Sequence, residues 1–179
     1  MTRISLINPH ETSADRSALL QQIHGAFGAV PNMFRAVANS PAALASMWGS
    51  FGALGNGVLP AALSEQIAVA VAEANRCDYC LAAHTLLGKN AGVSAEAMAK
   101  AQQGLSDDPK TAAALQFAIK LVRQRAAISD TDIKAMRDVG YSEQEVVEVL
   151  AHVALNIFTN YVNVAFNTPL DFPGVAFRS

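Results

Sequence analysis

The chain has 179 residues, enough for one domain that buries a core without disulfide or metal staples. Hydrophobic residues make up 51% and charged residues only 16%. That is below the usual quarter, so part of the surface is expected to lie against a second copy, as a homo-oligomer. Thirteen Lys and Arg against fifteen Asp and Glu leave a net charge of −2, with no basic run, which argues against a nucleic-acid partner.

The first residues, MTRISLINPHETSADR, hold no apolar run ahead of a small-residue cleavage site, so no export signal is expected. Apolar stretches such as IAVAVA, Ile67 to Ala72, are too short to span a bilayer, and no membrane partner is expected. The expected compartment is the cytoplasm, where thiols stay reduced.

Period-two alternation is rare, and apolar residues recur at i, i+3 and i+4, so an all-α helical bundle is expected. The first helix is placed at Ala14–Phe27, ended by Gly28, and a short one follows at Met33–Asn39. Ser40-Pro41 opens Pro41–Leu54 as cap and first residue. Next come Ala61–Asn75 and Cys77–Ala91, then Ala95–Gln103, with Gly92 and Gly104 at helix ends. Asp108-Pro109 opens Pro109–Ala127. Ser129 with Asp132 precedes Thr131–Val139, which Gly140 ends, and the capping box Ser142/Glu145 opens Glu143–Phe166. The Pro-rich end NTPLDFPGVAFRS reads as extended. One domain over 1–179 is expected, with a cysteine-bearing core at about 41–103 and a long C-terminal helix at about 143–166.

Both cysteines stand in RCDYCLAAHTLLG, Arg76 to Gly88. Cys77, Cys80 and His84 are spaced i, i+3, i+7 and share one helix face. Asn75-Arg76 is poor helix interior, which puts a helix start near Cys77. A first turn offers unpaired N–H groups and the positive end of the macrodipole, and both favour thiolate. Cβ atoms at i, i+3 lie about 5–6 Å apart in a regular helix, and a disulfide wants about 3.5–4.5 Å. A first turn can tighten to close that gap. His84, one turn beyond Cys80, is within reach to take its proton.

Zinc binding is the competing reading. Cys77, Cys80 and His84 would supply three ligands, with His24 or His152 as a fourth, but three ligands on one helix face converge poorly. Redox chemistry ranks ahead. On the C-terminal helix, His152, Asn156, Asn160, Asn163 and Asn167 form a polar stripe. Amides in a row suggest a packed setting, either an interface or a pocket wall facing the cysteine helix. Val149, Val153, Ile157 and Val164 on the other side read as core.

The segment LSEQIAVAVAEANRCDYCLAAHTLLGKNAGVS resembles the AhpD-like alkylhydroperoxidase core of the carboxymuconolactone decarboxylase superfamily. A Glu, eleven residues, then C-x-x-C-x-x-x-H falls here on Glu65, Cys77, Cys80 and His84. GAVPNMFRAVANSP upstream and NIFTNYVNVAFNTPLDFP downstream resemble the subgroup known as peroxidase-related. The resemblance implies an AhpD-like bundle, a trimer or hexamer, and peroxide reduction without a metal, haem or other cofactor. It also implies re-reduction by a dithiol partner such as a dihydrolipoyl group. By the same resemblance Cys80 is the attacking cysteine, Cys77 resolves, and Glu65 and His84 belong to a proton relay. Helix-start physics alone favours Cys77 as the attacker.

One position departs from the pattern. Tyr79 stands where the best-characterised hydroperoxidases carry a His, leaving a hydrogen-bonding group in place of a proton shuttle. Peroxidase activity altered in rate or substrate, or plain thiol–disulfide exchange, is then expected. Glu65 brings a geometric condition: in one continuous helix it would lie about 18 Å from Cys77, so the chain must reverse near Asn75–Arg76. The remaining alternatives are a decarboxylase or lactone-processing enzyme like the superfamily's namesake, whose members generally lack the cysteine pair, and a zinc-binding oligomer.

Overall fold

The computed structural model of the protein describes residues 2–178. They form nine helices and no strand: α1 (Ala14–Phe27), α2 (Asn32–Val37), α3 (Pro41–Gly55), α4 (Ala61–Ala74), α5 (Asp78–Asn90), α6 (Ala95–Gln102), α7 (Pro109–Arg123), α8 (Asp130–Asp138) and α9 (Glu143–Phe166).

Most of the start signals in the sequence act as caps. Ser40 Oγ accepts from the Ala43 N–H, Ser94 Oγ from that of Ala97, and Asp108 Oδ2 from that of Thr111. Ser142 and Glu145 bond reciprocally at 2.7 and 3.2 Å. Each cap contributes about 1 kcal/mol. Helix α7 stops at Arg123, four residues short of the expected Ala127. Arg125 and Ala126 take φ of 52° and 61°, and the Ala126 N–H returns to the Leu121 carbonyl, which closes the helix. No glycine marks that end, so apolar periodicity alone carried the expectation too far.

Helix α4 is the centre of the bundle. Every residue from Gln66 to Glu73 is buried, as for a helix enclosed on all sides. It packs on α5, α6, α7 and α9, and its run of Ala and Val lets those neighbours come close. Helix α9 crosses it and also touches α2, α3, α5 and α7. Trp48 and Phe51 of α3 both pack edge-on against Phe34 of α2.

One expectation for α9 needs correction. By length and mean hydropathy this helix alone, among the described residues, would pass as a membrane span, although no uninterrupted apolar run in it is long. One face, with Val149, His152, Val153, Asn156, Asn160 and Asn163, is buried against the other helices, which is how a core helix sits. Val164, expected in the core, is 45% exposed and joins Val147, Leu150 and Tyr161 on an uncovered apolar face.

The last twelve described residues form a strap. It runs from Asn167, which ends α9 in the left-handed region, back across α2, α5 and α6. Its far end is pinned by Glu73, which is 2% exposed. That carboxylate accepts from Gln102 Nε2 at 2.6 Å and from the Arg178 N–H at 2.9 Å, and Arg76 Nη1 lies 3.5 Å away. Gln102 Nε2 also donates to the Ala176 carbonyl. Replacing Glu73 by Ala leaves these donors without a buried acceptor. The expected loss is about 3 kcal/mol, read as a lower urea midpoint with the slope unchanged.

Candidate active site

The site is built on the turn between α4 and α5. The Arg76 N–H bonds the Glu73 carbonyl and the Cys77 N–H bonds the Ala72 carbonyl, the paired closure of a Schellman motif. It requires a left-handed residue, and Arg76 supplies it at φ 55°. Its guanidinium lies 4.1 Å from the centre of the Phe177 ring, a contact that helps hold an unfavourable backbone setting. Cys77, whose N–H closes α4, is also the N-cap of α5, and its Sγ accepts from the Cys80 N–H at 3.2 Å.

Reversal at this turn brings together the residues the sequence spacing singles out. Cys77 and Cys80 are joined by a disulfide, with Cα atoms 5.3 Å apart. Helix α5 runs back along α4, so Glu65 Oε2 lies 2.7 Å from His84 Nδ1 although nineteen residues separate them. With the carboxylate accepting from Nδ1–H, the lone pair of the imidazole is left on Nε2. Among the described residues no group of three or more His, Cys, Asp or Glu is placed to hold a metal ion. His24, once a candidate fourth ligand, is exposed on α1.

The two sulfurs have different surroundings. Cys77 is 0% exposed, and Cys80 borders a cavity of about 60 Å³ that Cys77 does not line. His84 borders the same chamber, and the walls opposite are Phe34, Phe51, Tyr79 and Phe172. Asn163 of α9 donates through Nδ2 to Cys80 Sγ at 3.3 Å. One member of the polar stripe therefore touches the cysteine helix directly. Asn160 accepts from Asn75 Nδ2 at 2.9 Å, tying α9 to the turn itself.

Tyr79 stands apart from the Glu65–His84 pair. Its hydroxyl donates to Asp171 Oδ2 at 2.5 Å, and its ring packs edge-on against Phe172. Burial first, and then Asp171, push its pKa well up, so it stays protonated. Asp171 also accepts from the Asn32 N–H at 2.7 Å, at the start of α2. The strap is thereby latched over the chamber, with Phe172 as one wall. Nothing in the composition of the tail marks Asp171 or Phe172 as neighbours of the cysteines. Only the fold brings them back across more than 80 residues.

The fold and this site define an AhpD-like, all-α protein with a cysteine pair beside a Glu–His couple. The sequence profile of the carboxymuconolactone decarboxylase family matches residues 41–124. The fold is that of an uncharacterised peroxidase-related protein with an AhpD core from Ralstonia eutropha JMP134, at a TM-score of 0.86 and 21% identity over 95% of this chain and 92% of that one. It is also that of a peroxidase-related protein from Silicibacter sp. TM1040, at 0.81 and 22% over 98% and 92%. A third similar structure is the debrominase Bmp8, as a cysteine-to-alanine variant in complex with 2,3,4-tribromopyrrole, at 0.80 and 20% over 96% and 94%. No curated protein matches this sequence. The family profile thus falls on the cysteine-bearing core of the chain, and the solved structures share its all-α, AhpD-like fold.

Replacing Asp171 by Ala removes the acceptor shared by Tyr79 and Asn32. The expected cost is about 1–3 kcal/mol, with cleavage of the strap by protease at lower concentration and the core intact, as read by gel and mass spectrometry.

Proposed function

We propose that the protein is a thiol-dependent peroxidase that reduces organic or hydrogen peroxides through a Cys77/Cys80 dithiol–disulfide cycle. The observation that carries this reading is the asymmetric cysteine pair: Cys80 faces a chamber beside His84, and Cys77 is sealed behind it.

In the reduced enzyme His84 Nε2 takes the Cys80 proton, and Glu65 steadies the resulting imidazolium. Asn163 stabilises the Cys80 thiolate by its N–H. The thiolate attacks the terminal oxygen of the hydroperoxide and the O–O bond breaks. The alkoxide leaves with the proton from His84, and Cys80 becomes a sulfenic acid. The Cys77 sulfur then attacks Cys80, the S–S bond forms, and the hydroxyl departs with the Cys77 proton as water. An external dithiol of dihydrolipoyl type delivers two electrons and restores both thiols, itself becoming a disulfide. Cys77 is a suitable leaving sulfur in that step because the first turn of α5 stabilises its thiolate.

The aromatic chamber favours an apolar peroxide. The same walls suit a flat halogenated ring, so reductive dehalogenation by the dithiol is the second reading. In it the carbon–halogen bond is exchanged for carbon–hydrogen, halide leaves, and the cysteines are oxidised to the disulfide. A cytoplasmic setting accords with a cycle that needs reducing partners. The uncovered α9 face of Val147, Leu150, Tyr161 and Val164 supports a homo-oligomer, trimer or hexamer, through that face.

The test is a thiol count on the reduced protein before and after one equivalent of cumene hydroperoxide, with mass spectrometry of the peptide spanning 77–84. Both thiols are expected to disappear as an internal disulfide. Cys80→Ser should show no fast reaction, Cys77→Ser should stop at the sulfenic acid, and Glu65→Gln should slow the reaction on the order of 10²-fold. Thiols untouched by peroxide but consumed by a bromopyrrole would replace the first reading with the second. Sedimentation checks the assembly, and Tyr161→Lys is expected to shift it toward monomer.

A further inference from the structure

His84 belongs to two cavities. On one side is the Cys80 chamber, about 60 Å³ and walled chiefly by rings. On the other, between α3, α4 and α9, is a second cavity of about 170 Å³ whose rim includes the exposed Gly55 and Ala61. Glu65 lines only the second. Both cavities reach the surface, the first past the half-exposed Phe27, and the Glu65–His84 couple stands between a small apolar space holding the sulfur and a larger space with more polar groups in its wall.

The second cavity has a polar stretch in an otherwise apolar lining. Ser64, Glu65, His84, His152 and Asn156 all face it. His152 is 9% exposed, and its Nε2 is buried with no hydrogen-bond partner among the described residues. A buried imidazole nitrogen in that state calls for water. A site needs about 10–15 Å³ and two to four polar partners to hold one water molecule, so this cavity has room for several.

We propose that the second cavity is a water-filled proton passage serving the cysteine pair, and that His152 is a positioning residue that holds its water against Glu65 and His84. The inference rests on the cysteine redox reading. Re-reduction is the step that needs such a passage. An incoming dithiol attacks Cys80 as thiolate and displaces Cys77; when its second sulfur then displaces Cys80, that buried sulfur is released beside His84 and must gain a proton. The route through Glu65 and His84 delivers it along polar groups, whereas the chamber itself offers almost no polar surface to hold water. Burial lowers the His152 pKa, against the opposing pull of Glu148 on its own helix and Glu65 on α4, and with a smaller lowering from His84 on α5. A neutral imidazole there has one N–H to donate and one lone pair to accept.

Two reactions of the full-length protein are compared for wild type, His152→Phe and His152→Gln across pH 5 to 8, in H2O and D2O. One is reduction of the Cys77–Cys80 disulfide by dithiothreitol. The other is oxidation of the dithiol by cumene hydroperoxide. His152→Phe fills the space without polar atoms, and disulfide reduction is expected to slow about 10-fold, with a larger solvent isotope effect and an altered pH profile. His152→Gln, which keeps a donor and an acceptor, is expected to stay within about 3-fold of wild type. The proposal is overturned if His152→Phe matches wild type in rate and profile. It is overturned equally if Phe and Gln slow the reaction alike with no change in isotope effect, which would mark a packing role. Should Phe prevent folding, the Gln variant decides: wild-type-like kinetics support the passage, and a Gln rate as low as that of Glu65→Gln refutes it. Wild-type protein inert to peroxide would sink the peroxidase reading alone, because disulfide reduction still tests His152.

Discussion

The turn from α4 to α5 is the constraint on which the site depends. Three consecutive residues each do something a different residue would do poorly. Asn75 ends α4 and ties the turn to Asn160 of α9. Arg76 takes the left-handed backbone that reverses the chain, held by Glu73 and the Phe177 ring. Cys77 closes one helix with its N–H and caps the next with its sulfur. A Ser or Asp cap would stabilise α5 as well or better, so a cysteine here gives up little stability and gains chemistry. Because the reversal is tight, Glu65 on the outgoing helix meets His84 on the returning one. The disulfide, the carboxylate–imidazole pair and the chamber are consequences of a single backbone event.

Much of this was legible in the chain. The caps Ser40, Asp108 and Ser142 and the glycines that follow several helices are local signals, and local signals survive folding. The helix break before Cys77 was readable because Asn-Arg interrupts an Ala/Val run. The amide row on α9 was readable as a buried face because Asn is an uneconomical way to build a solvated one. What could not be read depends on distance in sequence. Asp171 is an ordinary acidic residue in a Pro-rich tail until the strap brings it to Tyr79 and Asn32. The α7 end was misjudged because two non-glycine residues take positive φ there. Val164 was assigned to the core because apolar character does not say which of two apolar faces is covered.

The substitution of Tyr for His between the cysteines now has a structural counterpart. A histidine at 79 would add a second titratable ring beside the sulfur. Tyr79 instead spends its hydroxyl on Asp171 and its ring on Phe172, fastening the tail over the chamber. In this chain the side chain at 79 serves closure. That leaves His84 as the one imidazole bordering the Cys80 chamber, and it raises the demand on whatever supplies protons to His84.

Closure and proton supply are linked by the dielectric of the chamber. In the proposed cycle, walls made largely of rings strengthen the hold of Asn163 and His84 on a sulfur anion, because each charge interaction grows as the surroundings become less polar. The same walls offer the anion few polar groups from which to take a proton. Nε2 of His84 is the unbonded nitrogen once Glu65 takes Nδ1, and the ring borders the chamber on one side and the larger polar cavity on the other. An imidazole carries a proton between its two nitrogens' surroundings without moving its ring. In the proposed cycle its place in the dividing wall lets the protonation of the sulfur answer to the more polar side, which a histidine lying wholly inside the chamber would not achieve.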